Sequence, residues 1–192
     1  MYGATDVPAT EEGLREIAEF AEAGIYPDAA DAALYTSGML RTEQTFEAIY
    51  GSAEHKTAPL LREINVGKFE MMTVEEIFQD EYGRAWLSGE IEDPKFEGGD
   101  SSSGFRERVS RGFSEVLDEC AAAGIERIIL VIHGAVITYL MDNFFPGTYE
   151  DMWAWTPNPG TGFELEFEDG KPVSWGPIGE PDGWSDGGRS QA

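Results

Sequence analysis

The sequence predicts an α/β fold: a three-layer αβα sandwich around a mostly parallel, doubly wound sheet with an antiparallel edge. Three features predict it. RIILVIHG (127–134) carries an unbroken, β-branched apolar run, the pattern of a parallel strand buried on both faces. Strand and helix patterns alternate along the chain, which places helices on both sides of a sheet. FELEFEDGKPVSW (163–175) alternates apolar and acidic residues around Asp169-Gly170, as a hairpin or a strand pair at a sheet edge does.

Residues 8–24 read as the first helix. Thr10 is its N-cap, Glu11 and Glu12 lie in the first turn, and Leu14, Ile17, Ala18 and Ala21 recur at helical spacing up to Gly24. AALYTSG (32–38) is a short apolar run that breaks at Ser37-Gly38, and MLRTEQTFEAIYG (39–51) is the next helix. Residues 52–71 look irregular and extended. TVEEIFQDEYGRAWLSG (73–89) reads as one helix opened by a capping box, Thr73 with Glu76. A Gly- and Ser-rich loop (90–104) precedes a long amphipathic helix (105–124), with Phe105, Val109, Phe113, Val116 and Leu117 near one face. After the 127–134 strand, AVITYLMDNFF (135–145) is helical. Met152-Trp153-Ala154-Trp155 is expected to pack rather than to line a pocket. The domain is expected over 1–175, with residues 176–192, rich in Gly, Pro and Ser, as a flexible tail.

Composition narrows the function. The 192 residues suffice for one domain with a sizeable core. No apolar run reaches the ~20 residues of a membrane span, and MYGATDVPATEEG lacks the basic and apolar regions of a signal peptide. A cytoplasmic address is therefore expected. A formal net charge of -24 repels nucleic acid and anionic lipid, so neither is an expected partner. An anionic ligand would have to be drawn in by a local cluster of donors against that field. The one cysteine, Cys120, excludes an intrachain disulfide and reads as a core filler. The two histidines, His55 and His133, stand far apart without ligand spacing, so no metal or other cofactor is implied. His55 reads as an exposed loop residue.

Two strand-to-helix turns carry chemistry. Ser37-Gly38 opens a helix with Arg41 in its first turn, and His133-Gly134 opens another. Helix N-termini offer free N–H groups to a phosphate or carboxylate. An arginine adds a bidentate fork for the same anion, and a histidine there is a donor or a general acid–base group. If both strands are parallel in one sheet, both turns face one crevice. Taken singly, Arg41 also fits a surface ion pair, His133 a core histidine, and Glu63 a solvated face.

The order of the motifs is more specific than any one of them. YTSGMLRTEQT, LREINVGKFE, GGDSSSGFRERV, IILVIHGAVI and YGATDVPATEEG resemble, segment by segment and in order, the histidine phosphatase (phosphoglycerate-mutase-like) superfamily over residues 2–165. The resemblance implies phosphoryl transfer through a phosphohistidine, with a small phosphorylated metabolite or phosphate as ligand. It makes Arg41 a phosphate clamp, His133 a donor to the phosphoryl oxygens, and Glu63 the general acid and then base. It makes Ser37 and Gly134 part of the pocket backbone and Arg62 a substrate contact. Hydrolysis is favoured over mutase chemistry, since no long inserted segment is present. The departure is the nucleophile. The superfamily's Arg-His-Gly triplet occurs nowhere in the 192 residues. Two expectations follow: a longer protein that carries the triplet upstream of Met1, or a noncatalytic phospholigand-binding or interaction protein. A missing central strand would leave sheet edges unpaired, which would favour repair by a shifted strand or a partner chain, for instance as a homodimer.

Overall fold

Residues 2–179 are described by the computed structural model. The elements run α1 (Glu11–Glu22), β1 (Ala32–Thr36), α2 (Leu40–Tyr50), β2 (Lys56–Thr57), α3 (Val74–Gln79), α4 (Glu81–Leu87), α5 (Ser102–Ala122), β3 (Arg127–Val131), α6 (Gly134–Phe144), β4 (Gly162–Glu168) and β5 (Lys171–Ile178). Short 3₁₀ turns lie at Pro59–Leu61, Gly67–Phe69 and Met152–Trp155. The fold is α/β, and among the described residues no helix is long and apolar enough to cross a membrane.

The parallel sheet has the order β2-β1-β3. Ala32 to Thr36 lie opposite Arg127 to Val131 in register. Alternate residues of β1 face opposite layers. Tyr35 enters a core with Phe105, Val109, Phe113, Val116 and Cys120 of α5 and Val136 and Leu140 of α6. Thr36 faces α2, where its hydroxyl donates to Glu43. Cys120 is buried, its Sγ 3.6 Å from the Tyr35 hydroxyl, as a filler should be.

The hairpin departs from the expected sheet edge. β4 and β5 pair antiparallel in a separate two-stranded sheet, while β3 pairs with β1 alone among the described residues. For that reason Ile128, Ile129, Leu130 and Val131 are half-buried rather than enclosed on both faces. Aromatic contacts still tie the hairpin to the main core: the Phe167 ring lies 6.0 Å from Phe144 and 6.3 Å from Phe113. Trp155 is fully buried against Phe163 and Trp175, whereas Trp153 is exposed. β5 continues to Ile178, three residues into the expected tail; residues 180–192 lie outside the described residues.

Local chemistry sets two boundaries. The helix read over 73–89 breaks at Asp80, whose carboxylate accepts the Gly83 N–H (2.9 Å) and caps α4. A short polar side chain that bonds its own backbone competes with a continuing helix. The capping box of Thr73 and Glu76 is present as read. α5 begins earlier than expected, at Ser102, because the Ser101 hydroxyl caps it by accepting the Gly104 N–H (3.0 Å).

Candidate functional site

β1 and β3 are adjacent and parallel, so the residues that follow them meet on one edge. Ser37 and His133 do meet: Ser37 Oγ lies 2.7 Å from His133 Nε2. Neighbouring bonds decide the direction of that contact. Thr42 gives its one hydroxyl hydrogen to the Met39 carbonyl (2.7 Å), so Ser37 donates the 3.0 Å bond to Thr42 Oγ1. With its hydrogen committed, Ser37 accepts from His133, and the imidazole proton sits on Nε2. His133 is 5% exposed, and burial, with Arg41 and Arg108 nearby, drops its pKa to about 3. It is a neutral imidazole at pH 7. Ser37 thus contributes its side chain as well as the turn.

Glu63 follows the Pro59–Leu61 turn. The chain there is extended, so neighbouring side chains diverge: Glu63 points inward and is 9% exposed, while Arg62 points to solvent. One carboxylate oxygen accepts the Ile64 N–H (2.8 Å) and the other the Ala135 N–H (3.2 Å). Gly134 is the first residue of α6, so Glu63 occupies an N–H at that helix's N-terminus, where an anion is favoured. Burial nonetheless wins and raises the Glu63 pKa above the ordinary glutamate range, against those two N–H bonds and the charges of Arg41 and Arg108.

Arg41 is half-buried in the first turn of α2. Its Nη1 donates to the Thr5 carbonyl (3.1 Å) and its Nη2 to the Gly3 carbonyl (2.8 Å), which leaves three of its five N–H groups. The same N-terminal segment wraps a second charge. Glu70 accepts the N–H groups of Gly3, Ala4, Thr5 and Val66 and the Thr5 hydroxyl, and although burial opposes it, these bonds hold its pKa low.

The sheet therefore brings Ser37, Arg41, Glu63, His133 and Gly134 to one edge, and sends the Arg62 side chain away from Glu63. The family model of the histidine phosphatase superfamily, branch 1, matches residues 1–175. The chain belongs to that superfamily. Solved structures agree with the superfamily assignment. Phosphoglycerate mutase from Thermus thermophilus is 26% identical, with a TM-score of 0.64 over 91% of this chain and 87% of that chain. Alpha-ribazole phosphatase from Shigella flexneri is 18% identical, with a TM-score of 0.73 over 90% of this chain and 85% of that chain, and shows the shared fold. No curated protein matches.

Three groups around these residues escape a reading of the sequence. Arg108 bonds the backbone around Glu63, and Glu70 organises the N-terminal segment. His55 is not simply exposed: its Nε2 lies 2.8 Å from Glu43, whose other oxygen accepts from Thr36, and its ring is tilted against Phe46 with centroids 4.1 Å apart. Each links segments distant in sequence, and only the TEQT segment, which contains Glu43, carries a signal of its own.

Proposed function

We propose that this chain supplies the oxyanion-binding and acid–base groups of a phosphomonoesterase that acts on small phosphorylated metabolites through a phosphohistidine. One observation carries the reading: the buried Glu63, its pKa raised by that burial, meets an N–H at the N-terminus of α6, the helix that His133 opens, within the fields of Arg41 and Arg108. Arg41 would hold phosphoryl oxygens with its remaining N–H groups. A histidine nitrogen attacks phosphorus, the ester P–O bond breaks, and the leaving oxygen takes the Glu63 proton. Glu63 then takes a proton from water as the water oxygen attacks phosphorus, and the P–N bond breaks to release phosphate. The donor role for His133 requires its single proton, on Nε2, to pass from Ser37 to a phosphoryl oxygen when the ligand binds.

A second reading is a noncatalytic phospholigand-binding protein with the same anion donors, since Arg41 keeps N–H groups for an anion whether or not transfer follows. One set of measurements separates the two. Inorganic phosphate and vanadate should raise the Tm by several degrees, and Arg41→Ala should abolish the shift. No shift in the wild type sinks both readings. A shift without turnover of p-nitrophenyl phosphate supports the second; turnover supports the first, and a covalent phosphoryl adduct mapped to His133 would make His133 the nucleophile and overturn its donor role.

A further inference from the structure

We propose that Arg108 of α5 is the positioning residue that mounts Glu63 for proton transfer, an inference that rests on the acid–base role given to Glu63 above. Its guanidinium gathers three carbonyls of one short segment. Nη1 donates to Leu60 O (2.9 Å) and Arg62 O (2.8 Å), and Nη2 donates to Glu63 O (3.3 Å). Leu60 lies in the Pro59–Leu61 turn, Arg62 caps that turn in an extended conformation, and Glu63 follows it. Arg108 thus holds the backbone on both sides of the step at which Arg62 turns outward and Glu63 inward.

The fork is itself held. Nη2 also donates to Asp100 Oδ2 (3.1 Å), and that oxygen accepts the Asn65 N–H (3.0 Å), two residues beyond Glu63. Asp100 and Arg108 therefore grip the segment from both ends. One turn along α5, Gly112 lets the helix touch the same strand of chain. A Cβ at Gly112 would lie 2.5 Å from Leu60 Cβ. Arg108 and Gly112 form one helix face that sets both the distance and the orientation of the acid. A lysine would match the charge without the fork. The charged groups that face Glu63 are Arg41 from α2 and Arg108 from α5.

The test is carboxyl ¹³C NMR of Glu63, assigned with Glu63→Gln, together with the Ala135 amide signal. In Arg108→Gln the Glu63 titration midpoint should rise, and the Ala135 amide should move upfield as its bond to the carboxylate loosens. Arg108→Lys should keep the midpoint near wild type yet still move the Ala135 amide, which separates charge from geometry. Gly112→Ala should move the amide in the same direction. The phosphate-induced Tm shift, which reports Arg41, should persist in all three. A folded Arg108→Gln with both Glu63 and Ala135 signals unchanged overturns the proposal; should that variant not fold, an unchanged amide in Arg108→Lys overturns it equally. If phosphate gives no shift even in the wild type, the phosphatase reading fails while the NMR result still decides the mount.

Discussion

Glu63 and Arg41 lie within reach of each other's charge but are held by different kinds of structure. Glu63 hangs from the core: Leu61 beside it is fully buried, and its carbonyls are gripped by a helix that lines the same core. Arg41 is steadied by the carbonyls of Gly3 and Thr5, in a segment that has no buried apolar side chain of its own. The acid's geometry is thus as durable as the fold. The clamp's geometry depends on a unit that can open while the sheet stays intact.

The contrast breaks hardest at Leu61. Leu61→Ala should cost about 2–5 kcal/mol in urea unfolding, because it opens a cavity directly under the Glu63 segment. Destabilisation well below that range would mean that Glu63 is not core-mounted. The pH dependence is next in size. His133 has a depressed pKa, so the stability it contributes is present above its unfolded value near 6.5 and lost as pH falls toward about 3, at up to about 1.4 kcal/mol per pH unit. Glu63, with a raised pKa, has the opposite sign: its folded carboxyl takes up a proton first, so it stabilises as pH falls toward the ordinary glutamate range. Denaturation as pH falls from 7 toward the ordinary glutamate range should therefore steepen in Glu63→Gln and flatten in His133→Asn. Identical slopes in the three proteins would refute the assigned shifts. The smallest effect sharpens the comparison at its other side. Glu70→Ala removes the acceptor of four N–H groups and a hydroxyl, which should cost about 1–3 kcal/mol locally. Hydrogen exchange should speed up at residues 3–5 and remain slow in β1 and β3; faster exchange throughout would show that the segment is not a separate unit.

What was legible in the sequence was what neighbouring residues decide. The Thr73–Glu76 capping box, the Thr10 cap, the Asp169-Gly170 turn and the placing of His133 just after a parallel strand all depend on contacts a few residues long. The fold class and superfamily followed from the order of such signals. The supports of the site did not, since Arg108 meets carbonyls 45 to 48 positions away and Glu70 meets the N-terminal segment 65 to 67 positions away. Nothing in FRERV distinguishes Arg108 from its neighbour Arg106 until the helix is docked. The half-burial of β3 was equally hidden, because an apolar run records what a strand prefers rather than what lies beside it.

Gly3 shows the same wrapping in terms of substitution. A Cβ there would lie 2.3 Å from both a Glu70 carboxylate oxygen and the Ile64 carbonyl. Any side chain at position 3 must push the segment off Glu70 and take the Gly3 and Thr5 carbonyls away from Arg41. The support of Arg41 thereby hangs on a missing side chain, and a saturation map of positions 2–10 would show a sharp minimum at position 3.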